Sequence, residues 1–235
     1  MTECRMTAHR NIHAVVPVKD TNEAKQRLAA LLSRAQRREL ALAMLEDVLA
    51  ALVVVTELAG ILVVTVDPAA TEIAAGYGAH IMREGEREGH TGAVATAARR
   101  LADEGMFALP GDIPLLQPGD IRELLSAHRG GAQPSDRAFT IAPARDLRGS
   151  NAVICSPATA VPLRFGSDSF YPHLAAARSY GIEPEVVRLP RIALDIDTPE
   201  DLALFLQTPA STRTHALLER WRVRPDCGAS RELSA

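Results

Sequence analysis

ILVVTVDPAATEIAAGYGAHIM, residues Ile61 to Met82, reads as strand, helix and strand in direct succession. Ile61–Val66 is an unbroken β-branched and leucine run, the pattern of a strand buried on both faces. Asp67-Pro68 closes it, a helix is expected from about Thr71 to Tyr77, and His80–Met82 supplies a short second strand.

The same alternation extends in both directions. Upstream, HAVVPV (His13–Val18) reads as a buried strand. The helical region after it carries Leu40, Met44, Leu45, Val48 and Leu52 at helical spacing. Downstream come a helix from about Gly92 to Ala102, the strand MFAL (Met106–Leu109), and a helix that Pro118 starts and that runs through Leu125. AFTIAP, NAVICS and EVVRL supply further strands, with a helix from about Phe170 to Tyr180 between the last two. LDI (Leu194–Ile196) precedes a helix opening at Thr198-Pro199-Glu200-Asp201. Continuous apolar strands alternating with helices specify an α/β fold whose mostly parallel sheet is covered on both faces. In such sheets ligands lie at the carboxyl ends of the strands.

The pattern covers 13–207. Residues 1–12 read as a flexible N-terminal extension. Residues 208–235 read as a C-terminal extension with room for a short helix around His215 to Trp221 and a loose last stretch. Apolar residues at 47% and charged residues at 23% fit a globular chain rather than a disordered one. A net charge of −3 gives no reason to expect a nucleic acid or an anionic membrane as partner. The most apolar region, Ala41 to Val66, is interrupted by Glu46, Asp47, Glu57 and Gly60, so no transmembrane span is expected. The N-terminus lacks the apolar stretch of a signal peptide, and Cys4, Cys155 and Cys227 are scattered, as reduced thiols of a cytoplasmic protein would be.

Chemistry-bearing residues follow the strands. Lys19, Lys25 and Arg27, in PVKDTNEAKQRL after the first strand, bring cations to one strand end, where substrate phosphates would lie; a solvated loop has the same composition. Asp112, in PGDIPLL, is placed as an oxygen ligand for Mg²⁺ or, equally, as an Asx-turn or helix cap. Asp195 and Asp197, two apart in ALDIDTPEDL, would aim together in a strand. Paired carboxylates call for a cation, while Asp197 could also cap the following helix. RGSNAV offers Ser150 and Asn151, and RFGSDSFYPH offers Gly166, Ser167 and Ser169 before a helix N-terminus. Both suit an anion, and both are also ordinary turn and cap sequences. Of seven histidines only His173 falls in a candidate motif, and no Ser-His-Asp set, P-loop or G-x-G-x-x-G is present.

In order, VPVK…AKQRL, LPGDIPLL, RGSNAV, FGSDSF..H and DIDTPEDL resemble the phospholactate guanylyltransferase family of coenzyme F-420 biosynthesis. That family is a branch of the molybdopterin-guanylyltransferase-like nucleotidyltransferases. The match runs from about His13 to Gln207. The resemblance implies a Rossmann-like three-layer α/β/α fold with a mixed sheet of about seven strands, one of them antiparallel. It implies GTP as donor and 2-phospho-L-lactate, phosphoenolpyruvate or 3-phospho-D-glycerate as acceptor. By motif, Asp112, Asp195 and Asp197 would bind Mg²⁺. Asn151, Gly166 and Ser169 would hold the acid with Ser150 close by, and Lys19, Lys25 and Arg27 would contact phosphates. It leaves room for a homodimer and for hand-off of product to the downstream transferase of the pathway. The glycine-rich loop of better-known relatives is replaced here by PVKDTNEAKQRL, and GHTGAVATA (Gly89–Ala97) stands where relatives carry an L-N-x-A segment near the base. Rival readings are a sugar-phosphate or molybdopterin nucleotidyltransferase and a non-catalytic nucleotide-binding module.

Overall fold

The computed structural model describes residues 11–83, 85, 89–130, 137–166 and 168–224. Seven strands form one sheet in the order β3-β2-β1-β4-β6-β5-β7. They are β1 Ile12–Pro17, β2 Gly60–Val64, β3 His80–Met82, β4 Gly105–Ala108, β5 Ala138–Pro143, β6 Ser150–Ser156 and β7 Glu185–Val186. The crossovers that join β1, β2, β3 and β4 carry helices and make these pairs parallel. β6 follows β5 through a short hairpin, so it runs antiparallel to both β5 and β4. That one reversal puts the start of β6, Ser150 and Asn151, at the edge where β4 and β5 end.

Helices cover both faces. Along β1, Ala14 and Val16 point to one side and Val15 to the other, as strand alternation requires. The first side packs on Leu45, Val48, Leu49 and Leu52 of α1 (Arg34–Val53) and on Ile121 and Leu124 of α4 (Pro118–Gly130). The second packs on Val94 and Ala97 of α3 (Gly89–Leu101) and on Phe170, Leu174 and Ala177 of α5 (Phe170–Ser179). This is the three-layer α/β/α arrangement expected from the sequence.

Local signals set the boundaries, and several differ from the expected ones. α2 runs Pro68–Gly76 rather than from Thr71, because Asp67 caps it and Pro68 occupies its first turn. α3 begins at Gly89, whose φ of +74° suits glycine alone at little cost. α4 continues past Leu125 to Gly130. Leu194–Ile196 lies outside the sheet, after a single turn α6 (Pro190–Ala193) and before α7 (Pro199–Gln207).

Part of 208–235 is folded. Thr212 caps α8 (Arg213–Arg220), whose Leu217 and Leu218 are buried with Leu40 and Met44 of α1 and Leu202 and Phe205 of α7. Asp47, in the middle of α1, accepts hydrogen bonds from the N–H groups of Arg213 and Thr214 and from the Thr214 hydroxyl. The N-terminal extension up to residue 10, the expected loose end from residue 225 and Ser167 lie outside the described residues. Among the described residues no helix is long and apolar enough to cross a membrane.

Candidate active site

The cleft forms where β1 and β4 end and β6 begins. One cavity there has a volume of ≈ 780 Å³, and an adjoining one of ≈ 690 Å³ shares Lys19, His90, Asp112 and Asp197 with it. Lys19, Arg27, Asp112, Ser150, Asn151, Gly166, Ser169, Asp195 and Asp197 line the first, and Lys25 lines the second. The structure thus brings these ten sequence-predicted residues to one strand edge.

Lys25 is built into the site by its backbone. After β1 the chain makes two 3₁₀ turns, Thr21–Glu23 and Gln26–Leu28, and Lys25 between them adopts φ 52° and ψ 44°. A non-glycine residue in the left-handed region costs about 1 kcal/mol. The side chain offsets that cost: Lys25 Nζ lies 2.5 Å from Asp112 Oδ2 and 2.7 Å from Asp197 Oδ1. Burial alone would lower the lysine pKa, but the two carboxylates overcome it and hold the ammonium well above its ordinary range. Asp67 fastens the loop from below. One of its oxygens caps α2 and the other accepts from the N–H and hydroxyl of Thr21.

The structure separates the roles that spacing left open. Thr198, in a capping box with Asp201, caps α7, so Asp197 is free to meet Lys25 and, at 3.9 Å, Arg27. Asp112 makes no cap: Oδ2 accepts from Lys25, and Oδ1 is buried without a hydrogen-bond partner. Asp195 and Asp197 flank buried Ile196, whose N–H donates to the Asp112 carbonyl, and this bond rather than a strand brings the acidic segments together. Asp195 is held by Asn151, whose amide also donates to the Ile192 carbonyl. The Asn151 NH₂ is therefore spent on positioning Asp195, which leaves its oxygen for other partners.

Charge in the site is uneven. Burial, and then the neighbouring Asp112, push the Asp195 carboxyl above its usual range. Asp197 goes the other way, because Lys25 outweighs the effect of burial. Among the described residues no three His, Cys, Asp or Glu side chains form a ready-made metal cage. The ammonium of Lys25 takes the place between Asp112 and Asp197. The unpartnered Asp112 oxygen and the crowded Asp195 are still short of positive charge, and an all-oxygen set of this kind suits a hard divalent cation.

The opposite wall is hydroxyl-rich. Ser169 precedes α5 but makes no capping bond; its hydroxyl instead meets Ser150 Oγ at 3.1 Å, and Ser150 Oγ lies 3.0 Å from His173 Nδ1. Sequence reasoning missed several lining residues. His90 and Phe165 pack edge to face with ring centroids 4.6 Å apart, and Thr91 ties α3 to the loop through the Phe165 N–H. GHTGAVATA was the signal for His90. Phe165 opens the FGSDSF..H motif, though no role was read for it; nothing local marked Arg145, which the 144–149 hairpin brings to the cleft beside Asp201.

Residues 12–233 match the family described as guanylyl transferase CofC like. The phosphoenolpyruvate guanylyltransferase of Conexibacter woesei is 37% identical over 203 residues, 85% of this chain and 89% of the relative. The 3-phospho-D-glycerate guanylyltransferase of Colwellia psychrerythraea is 35% identical over 208 residues, 86% of this chain and 96% of the relative. Among solved structures, a Desulfovibrio desulfuricans protein described as a nucleotide-diphospho-sugar transferase superposes with a TM-score of 0.67. It is 19% identical, and the match covers 89% of this chain and 94% of that one. The likeness shows the fold as that of the nucleotidyltransferases. With a family match over nearly its whole length, the chain belongs to the CofC-like guanylyl transferase family.

Proposed function

We propose that this chain transfers GMP from GTP to a small phosphorylated acid, releasing pyrophosphate, in coenzyme F-420 biosynthesis. Phosphoenolpyruvate and 3-phospho-D-glycerate are the acceptors named for its relatives, and 2-phospho-L-lactate is the third of the same class. The observation that carries the reading is the two-sided cleft. Acidic and cationic side chains meet on one wall, a hydroxyl-rich pocket faces them, and buried Asp112 Oδ1 has no partner.

Asp112, Asp195 and Asp197 are the residues that would hold Mg²⁺. When bound, the ion neutralises triphosphate charge and polarises the α-phosphorus. The protein supplies the rest. A phosphate oxygen of the acid forms a bond to the α-phosphorus of GTP as the α–β phosphoanhydride bond breaks, and pyrophosphate carries away that electron pair. A phosphate monoester is already anionic at neutral pH, so no side chain has to remove a proton. His90, held neutral by burial although Asp112 pulls the other way, is not needed as a base. The obstacle is repulsion between two polyanions. Lys19, Lys25 and Arg27 offset it, while Ser150, Ser169 and the backbone at Gly166 fix the acid in line.

Mass spectrometry after incubation with GTP, Mg²⁺ and each acid tests the reading. A diphosphate-linked conjugate of GMP with one acid is expected. Conjugates formed only from CTP or ATP, or only with sugar phosphates, would overturn it.

A further inference from the structure

A hydrogen-bond chain behind the cleft wall fixes how the pocket meets its ligand. The backbone N–H of Arg164 donates to His173 Nε2 at 3.0 Å. A backbone amide can only donate, so Nε2 carries the lone pair and the proton of the neutral ring is on Nδ1. The ring is 1% exposed, and burial lowers its pKa to about 4, which keeps it neutral. The Nδ1–H therefore donates to Ser150 Oγ at 3.0 Å. Ser150 and Ser169 share one further bond between their hydroxyls. The ring N–H and both hydroxyls carry one proton each, and the internal bonds use two of these. One hydroxyl proton is left over whichever way the serine pair is oriented. Both serines line the cleft, so the cleft is where that proton has to go.

We infer that His173 is a positioning residue that makes the Ser150–Ser169 pair a donor toward the cleft, so that the ligand atom seated there is an anionic oxygen, a carboxylate or phosphate oxygen of the acid. Without the ring N–H, either hydroxyl could rotate and offer a lone pair to water, and the pair would lose its preference for an anion. The inference rests on the guanylyl-transfer reading for the identity of the acid but not for the proton count. It also explains the final histidine of FGSDSF..H, which is too deeply buried to touch substrate.

The test uses full-length protein, Mg²⁺ and phosphoenolpyruvate, with KM for both substrates, calorimetric Kd for the acid, and thermal melts to confirm folding. Ser150→Ala removes the donor. His173→Phe keeps a buried ring but cannot donate to Ser150, whereas the amide of His173→Gln can both accept from Arg164 N–H and donate to Ser150. A lost hydrogen bond to a charged group predicts roughly a 10- to 100-fold rise in KM and Kd for the acid in Ser150→Ala and His173→Phe, with KM for GTP unchanged, and a smaller rise in His173→Gln. Because the two residues act through one bond, the Ser150→Ala/His173→Phe double variant should be no worse than Ser150→Ala alone. Fully additive losses, a parallel rise in KM for GTP, or unchanged acid affinity in His173→Phe would overturn the inference. If His173→Phe does not fold, His173→Leu takes its place with the same two readings. Wild-type protein that binds the acid in a His173-dependent way without turnover would sink guanylyl transfer and leave this inference standing. Failure to bind either phosphoenolpyruvate or 3-phospho-D-glycerate would overturn it.

Discussion

Lys25 Nζ lies 2.5 Å from Asp112 Oδ2 across 87 residues of sequence and joins the loop after β1 to the loop after β4. The lysine side chain is 8% exposed, and its contact with Asp197 adds the segment before α7 to the same junction. This one ammonium holds the acidic wall together, and the stability and chemistry of the cleft both depend on it.

Lys25→Met therefore has two expected consequences. It leaves the carboxylates to repel one another, and because Asp197 is half exposed the cost is about 2 kcal/mol rather than that of a fully buried pair. Turnover should fall by about 100-fold or more, since on the proposed function a cation at the transferring phosphate is lost. Melts in EDTA and in Mg²⁺ check the first part: the divalent ion should recover more stability in the variant than in wild type. Equal recovery in both would mean that the ion does not share these carboxylates.

Asp67 lines neither cavity of the cleft, yet it anchors the loop that presents Lys25. Asp67→Ala should cost about 2–4 kcal/mol by leaving the α2 cap and Thr21 unsatisfied. It should also lower kcat while the protein is still folded. A variant with the lowered melting temperature but wild-type kcat would show that the loop holds its place without this tether.

Asp47 serves α8 instead. Removing its carboxylate in Asp47→Ala orphans two backbone N–H groups and a hydroxyl, at about 2 kcal/mol, or about 4–8 °C in melting temperature. Activity below the transition should be unchanged, because α8 contributes no residue to the cleft lining. A large loss of activity in the folded variant would argue that the C-terminal helix supports the site.

These two anchors mark where sequence reading stops. The strands, their parallel crossovers and the charged cleft residues were legible because strand runs, turn prolines and strand-end carboxylates are local patterns, while the one antiparallel strand came only with the family resemblance. Asp47 was legible only as an interruption of an apolar run and Asp67 only as the end of a strand. Their partners lie 166 residues and 46 residues away, and no local pattern records such a pairing. Likewise, Asn151 reads as a substrate donor until its amide is seen to be spent on Asp195. The His173 tautomer depends on a backbone N–H that only the fold supplies.

His173 should also shape the acid limb of stability. Its pKa of about 4, against 6.5 for a free ring, means that below pH 6.5 the unfolded chain takes up a proton which the folded chain refuses. Stability is lost as pH falls, by roughly 2 kcal/mol between pH 7 and pH 5 from this group alone. Denaturant titrations of wild type and His173→Asn at both pH values check the sign. The variant should lose less on acidification, and an equal loss would place the titration elsewhere.

The most direct test of the central claim is pyrophosphate release from GTP and Mg²⁺ with phosphoenolpyruvate, 3-phospho-D-glycerate or 2-phospho-L-lactate, set beside ATP and CTP controls and the Asp112→Asn variant. Guanylyl transfer predicts release from GTP with one of these acids, little from ATP or CTP, and almost complete loss in Asp112→Asn with its fold intact. Release that is indifferent to the acid, absent with all three, or undiminished in Asp112→Asn would contradict it.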